Sequence, residues 1–372
     1  MNILRVTEIG FHARLIYLVI LSATINHQIN PGATSSSYIF DAYIIFLMSI
    51  MMFFCKFDTI RIFKVTFMFA IFLFFNFYHY VVESYYLSGY DFARACRPYL
   101  YLYFLIIISC LIHKGDLHTS NTFNFESLTI KIILFFVVGY VFKLYLGDFR
   151  PDLYAENNFE IPALIILFFL TARSTYTRSI LLGFVSIISF SKSGILSYAF
   201  SMFRLYRRSF FSYIAVFMVS LVVIGFVFAY RGVDTIENID RFKFLNIFWE
   251  SFTSTGYFNM LLGNGIGSQL PYTYCLDMGF FLEKFYSNQI YCDSSVFHSF
   301  IMKLIYDAGF IGFLVYLGLF YRMLSNFLTG NERSSVMGIL IISSLSISGF
   351  ASPLIVWPIF FIAAIRKVTA SQ

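Results

Sequence analysis

Charge is what this sequence lacks most. Only 12% of its 372 residues are Asp, Glu, Lys or Arg, while 59% are hydrophobic. Soluble domains carry about 25% charged residues. This chain has no means of covering itself in water, so a bilayer has to be its solvent. The net charge of +6 is scattered with no basic block, which excludes a nucleic-acid footprint. No His-Glu-x-x-His, paired Cys-x-x-Cys, Gly-x-Ser-x-Gly or Walker-type loop occurs, which excludes the commonest zinc, serine-hydrolase and nucleotide sites. His79, His113, His118 and His298 are expected on both sides of the membrane, so no metal site is expected. No repeat, low-complexity tract or polar domain is present, which leaves no soluble partner-binding module. The first apolar segment lacks an Ala-x-Ala-like cleavage site and is expected to remain as a helix.

What is present is aliphatic and aromatic, with 50 Phe and 27 Tyr. The apolar runs give about twelve spans, at roughly 10–27, 37–55, 60–82, 97–113, 127–147, 159–172, 177–190, 191–204, 209–229, 308–326, 334–350 and 352–366. The seventh and eighth are short and joined by SKSG (Ser191 to Gly194). They read either as a tight helical pair or as one long helix with a break. The expected fold is an all-α polytopic membrane protein, a single integral domain over 1–372. With the N-terminus cytoplasmic, most of the 26 Lys and Arg fall in short inside segments, which makes both termini cytoplasmic. One long connection, 230–307, lies between the ninth and tenth spans and faces outward. It is too aromatic to be disordered and is expected to fold against the membrane face as a lid or short helical insert.

Cations left outside against the positive-inside tendency are the first candidates for chemistry. They include Arg97, Arg150, Arg231, Arg241 and Lys192. A guanidinium fork matches phosphate oxygens and stays charged when partly desolvated. A shared anionic ligand is one reading; local salt bridges with Asp148, Glu156, Asp234 or Asp240 are the other. His298, at the end of the outward loop, can exchange a proton near neutral pH. If its helix is continuous, Gly309 lies about three turns on, where a second helix can approach closely. GNGIG (Gly263 to Gly267) reads as a tight turn. Tyr272 and Tyr274 either stack on sugar rings or join an interfacial aromatic belt. Cys275 and Cys292 share the outward loop, where an oxidising compartment permits a disulfide that spacing alone does not fix.

Together these features resemble the bacterial O-antigen polymerase/ligase group. The group's ligase pattern reads His, then Asn/Ser/Gln, nine residues, Gly, two residues, then Gly/Thr/Tyr. His298, Ser299, Gly309 and Gly312 meet it. FRPDLYAENNFEIPAL is similar to the group's Arg-x-x-Gly-Leu-x-x-Glu-Pro-Asn stretch, with Arg150, Glu156 and Asn157 on matching positions and the Pro absent. FSKSGIL is similar to its Ser-Arg-(Ser/Gly) turn, with Lys192 in place of Arg. DRFKFLNIFWESF followed by LLGNGIG is similar to its Arg-to-Gly-x-Gly stretch and places Arg241. The likeness covers about residues 145–330 and is topological elsewhere.

The resemblance implies a GT-C-like membrane glycosyltransferase in the bacterial inner membrane, its site facing the periplasm, working without a bound metal or cofactor. The donor would be an oligosaccharide on undecaprenyl diphosphate. Arg150 and Arg241, with Arg231, would stabilise the departing diphosphate. His298 would orient or deprotonate the acceptor hydroxyl. The alternative gives His298 the diphosphate and leaves Glu156 or Asp293 as base. Arg97, Asn157, Lys192, Tyr272 and Tyr274 would bind substrate. A chain-length regulator is a further candidate partner. The short chain and its Phe/Ile/Tyr bias favour an O-antigen polymerase over an O-antigen ligase. A lipid-linked oligosaccharide flippase is the competitor from another class, but it would require charges deep in several spans and matching halves.

Overall fold

The computed structural model describes residues 2–30, 35–83, 89–111, 125–148, 151–171, 176–206, 218, 240–276, 292–345 and 349–371. Almost all of these are helical, and β-pairing among them is limited to the isolated bridges Phe57–Leu111 and Gln269–Asp293. Eight helices come first: α1 (Asn2–Ile29), α2 (Ser35–Phe54), α3 (Thr59–Glu83), α4 (Gly89–Cys110), α5 (Phe125–Tyr145), α6 (Asn157–Thr171), α7 (Tyr176–Ile188) and α8 (Lys192–Tyr206). Three shorter ones follow, α9 (Asp240–Ser254), α10 (Tyr257–Leu262) and α11 (Tyr272–Leu276). The chain then forms α12 (Phe300–Leu324), α13 (Gly330–Ser344) and α14 (Pro353–Ser371). Every expected span except 209–229 overlaps one of these helices; 209–229, Met218 apart, lies outside the described residues.

Four helical stretches are long and apolar enough to cross a membrane: Ser36–Phe53, Thr59–Tyr78, Ser127–Tyr145 and Phe300–Leu324. Apolarity also decides position within the bundle. A helix that is apolar on every face has to be buried or lie in lipid. α6 takes the first course, with Ile161 to Phe168 all buried. It packs on α14, whose Leu354 to Ile365 are also all buried. α3 takes the second course: no residue in Thr59–Tyr78 is buried. It touches the bundle through α4, where Phe69 stacks on Tyr103 at 4.2 Å.

Polar contacts sort the helix ends into two groups. At one end, His27 of α1 meets Asp152, Asn157 of α6 meets Ser189, and Ser299 meets Ser344 of α13. At the other, Asp58 N donates to Cys110 O at 3.1 Å, and Arg366 donates to Phe327 O at 2.7 Å and to Glu332. The alternation matches what a chain threading back and forth across a layer has to do. All the candidate residues that can be located lie toward the first end.

Local signals explain two features that hydropathy left open. The seventh and eighth expected spans are a tight helical pair. α7 stops at Ile188, Phe190 turns the chain at φ 52°, and the Ser191 hydroxyl accepts from Gly194 N to begin α8. A Cβ on Gly194 would run into Ile161 of α6. The span expected at 308 begins earlier, at Phe300, where the Ser299 hydroxyl caps the helix and accepts from Met302 N at 3.4 Å.

The helix that follows is broken rather than continuous, because Gly309 has φ 68° and ψ 177°. The break strips Tyr306 and Asp307 carbonyls of helical partners. Asn264 N donates to Tyr306 O at 3.0 Å and Gly265 N to Asp307 O at 2.9 Å, so the GNGIG turn splices the gap. The expected close approach at Gly309 does occur, made by the end of α10. A Cβ on Gly309 would strike Leu261 O, and one on Gly263 would strike Asp307 O.

Gly309→Ala is therefore expected to lower stability by at least about 2 kcal/mol, from positive φ and collision together. Gly318→Ala, on the same helix with open space around it, should be neutral or slightly stabilising. Thermal denaturation of the two detergent-solubilised variants checks this; equal midpoints would contradict the splice.

Candidate functional site

Within 230–307, the described residues form a helical insert with its own core. Phe244, Phe248 and Phe252 of α9 pack with Leu270, Val296, Phe297 and Tyr306. Cys275 and Cys292 are joined by a disulfide and are buried in that core. Leu270 N donates to Cys292 O at 2.9 Å, which ties the end of the GNGIG segment to the start of the His298 segment.

From Cys292 to Ser299 the chain is anchored repeatedly. The Ser294 hydroxyl donates to Asp307 Oδ1 at 2.5 Å. Lys303 pairs with Asp307 and lies 3.2 Å from the Ser294 hydroxyl. The Ser299 hydroxyl donates to Ser344 O at 2.8 Å. Between these anchors sits His298, half-buried, with φ 53°. Apart from Phe190, it is the one non-glycine residue with positive φ among the described residues. Such a conformation persists only where the surroundings over-determine it, and it is enriched at functional sites. The imidazole lies against Phe244, ring centres 5.0 Å apart. Phe244 is one turn on from Arg241, so α9 brings its first turn toward His298. The Arg241 side chain lies outside the described residues.

A second anchored segment precedes α6. The buried Glu160 carboxylate accepts from Leu153 N at 2.8 Å and Ala155 N at 2.9 Å, from Tyr154 N between them, and from the Tyr140 hydroxyl at 2.5 Å. Three successive amides closing on one carboxylate form an anion nest. Asp152 meets His27 and Lys143, and Gln28 donates to Leu153 O at 3.2 Å. These contacts hold the backbone on which Glu156 is exposed and Asn157 buried. Arg150, like Arg231, lies outside the described residues.

Asn157 Nδ2 donates to Ser189 O at 2.5 Å, and Ser191 donates to Asn158 Oδ1 at 3.0 Å. The segment holding Glu156 and Asn157 thus meets the turn that presents half-buried Lys192. Asn157 Oδ1 is buried with no hydrogen-bond partner among the described residues. α13 links the two anchored segments, since it packs on α8 and accepts from Ser299 at its last turn.

Two candidates have protein partners of their own. Arg97 is paired with Asp41 at 2.9 Å, an acid 56 positions away rather than one of its sequence neighbours, and the Tyr101 hydroxyl donates to the same carboxylate at 2.5 Å. Tyr274 packs against the insert core. Tyr272 opens α11, but its side chain lies outside the described residues. Among the described residues no group of three or more His, Cys, Asp or Glu could hold a metal ion.

Sequence reading missed Glu160, Ser294 and the Asp307–Lys303 pairing. The signal for the first was available: a lone acid in the first turn of an apolar helix needs amide donors. Lys303 and Asp307 are four residues apart, the spacing of a helical ion pair, but hydropathy counts them as an interruption.

Removing Asp307 alone should cost about 3–5 kcal/mol, since it strands Lys303 with little solvent. The double variant Lys303→Met with Asp307→Leu should cost less than Asp307→Ala. Unfolding midpoints compare them, and additive losses would refute the pairing. Asp152 gives a pH test. Burial works to raise its carboxyl, but hydrogen bonds from His27 and Lys143 outweigh it and hold it below its ordinary range. A carboxyl lowered on folding stabilises above its unfolded pKa, about 4, and loses that contribution as pH falls through the folded value. Asp152→Asn should flatten the acid limb of thermal stability; an unchanged limb would count against it. No protein-family model matches this chain, and no curated protein matches it, so its chemistry has to be argued from these residues.

Proposed function

We propose that this protein is a glycosyltransferase of the bacterial inner membrane, with about twelve spans in a GT-C-like arrangement and both termini cytoplasmic. It polymerises undecaprenyl-diphosphate-linked oligosaccharide repeat units into O-antigen or a related surface polysaccharide at the periplasmic face. The observation that carries the reading is His298. It is held in a strained backbone conformation between Ser294 and Ser299 anchors, at the head of a broken helix. Strain maintained by this many contacts favours a residue that acts over one that merely packs.

In this reading an acceptor hydroxyl attacks the anomeric carbon of the donor. The carbon–oxygen bond to the diphosphate breaks, and undecaprenyl diphosphate leaves with the bonding electrons. His298 takes the hydroxyl proton or aligns that hydroxyl. Arg150 and Arg241, with Arg231, balance charge on the leaving diphosphate. Asn157 and Glu156 flank the donor from the second anchored segment, and Lys192 from the turn that this segment meets. The disulfide supports an oxidising, outward location for the insert.

The lipopolysaccharide ladder of cells deleted for the gene tests the reading. A core bearing a single repeat unit is the expected result. A bare core with long polymer stranded on undecaprenyl diphosphate would make the protein the ligase. A bare core without periplasmic lipid-linked glycan would make it a flippase. Complementation with His298→Ala should lower polymerisation about 10²–10⁴-fold; full ladders from that variant would remove His298 from the chemistry.

A further inference from the structure

α9 has three faces, not two. At about 100° per residue, Phe244, Ile247, Phe248 and Phe252 fill one sector and are buried in the insert core. Lys243, Asn246, Glu250 and Thr253 fill a second, exposed and polar. Phe242, Leu245 and Trp249 fill a third, apolar yet exposed by 44%, 41% and 60%. A helix lying on a protein in water needs only a buried face and a polar one. A helix shared between protein, water and hydrocarbon needs all three, cleanly separated.

The apolar sector is also continuous with a membrane-facing surface. α10 follows α9 directly and exposes Tyr257 and Phe258. It docks at the break in α12, the helix that is long and apolar enough to span a bilayer. Phe252 of α9 meets Phe310 of α12 edge to face at 5.7 Å, and Phe310 and Ile311 are exposed beside it. The band therefore runs from the outer side of α12 across α10 to α9 without a charged residue among those described. Exposed apolar surface of this extent is unusual in water, and Trp and Tyr are the residues favoured where acyl chains meet head groups.

We propose that α9 and α10 lie in the interfacial layer of the leaflet on the His298 side. Phe242, Leu245 and Trp249 contact lipid acyl chains, while Lys243, Asn246 and Glu250 face head groups and water. The inner face of the same helix carries Phe244 against His298, so among the described residues α9 stands between His298 and leaflet lipid along this side. The proposal stands independently of the reaction assigned above, and its test does not use activity.

Neighbouring residues in α9 give the test. Full-length protein carrying Trp249→Cys or Glu250→Cys is reconstituted alone into nanodiscs of phosphatidylethanolamine and phosphatidylglycerol. The native free cysteines, Cys55, Cys96 and Cys110, are buried. A charged, membrane-impermeant maleimide should label Glu250→Cys and leave Trp249→Cys unlabelled, with both labelled after unfolding in dodecyl sulfate. Equal labelling in nanodiscs would overturn the proposal, because the third face would then meet water. A second reading uses lipids brominated high on their acyl chains. The fluorescence that wild type has beyond the Trp249→Cys variant belongs to Trp249 and should be quenched. Absent quenching, with Trp249→Cys still protected, would mean that protein covers this face, and would equally overturn it.

Discussion

Two carbonyls without helical partners govern the end of this protein that holds His298. Where α12 breaks at Gly309, Tyr306 O and Asp307 O lose the amides that an unbroken helix would supply. In surroundings poor in water an unanswered carbonyl is costly. Asn264 and Gly265 answer both. That exchange docks the insert, and the insert brings the disulfide and Phe244 to the His298 segment, which the Ser294–Asp307–Lys303 cluster ties to α12. Glycine is required on both sides of the junction because the two backbones meet where Cβ atoms would collide. The GNGIG turn is thus neither a nucleotide loop nor a simple reversal; it completes another helix.

A second, quieter constraint works in the same way. Glu160 collects three amides from the segment ahead of α6, and the segment consequently has one shape. Both anchored segments are irregular backbone made rigid by a buried acid, one acting through amides and the other through a serine and a lysine. Such an arrangement holds the intervening side chains in fixed positions relative to one another.

Much of the helical frame was legible in the sequence because hydropathy and helix length are set by the same bilayer. The Cys275–Cys292 pair was legible as a possibility, since both residues fall in one long connection. The early start of α12 was not legible. Lys303 and Asp307 look polar in a window, yet they neutralise each other inside the fold, and Ser299 caps a helix that hydropathy begins at 308. The break at Gly309 was equally hidden, because a lone glycine in an apolar run is compatible with a continuous helix. Of the candidate site, His298, Asn157 and Lys192 were singled out by resemblance, but the meeting of the Asn157 segment with the turn that carries Lys192 was not legible, because it runs through a buried Asn–Ser contact between residues more than thirty positions apart. Glu160 was not singled out, because the resemblance falls on Glu156, which is exposed, while the acid that gathers the amides is buried four residues on. Arg97 illustrates the limit of sequence proximity: its partner Asp41 comes from another helix.

The disulfide has a consequence for how this chain can vary. Cys275 and Cys292 hold their Cα atoms 5.7 Å apart, and both are fixed in the insert core. Whatever lies between them begins and ends at one point on the protein. Lengthening a tethered segment adds only about 0.6 kcal/mol of closure entropy per doubling, and none of that reaches the positions of the two cysteines. The covalent closure therefore sets where the chain leaves the insert core and where it returns, and it does so immediately ahead of the His298 segment.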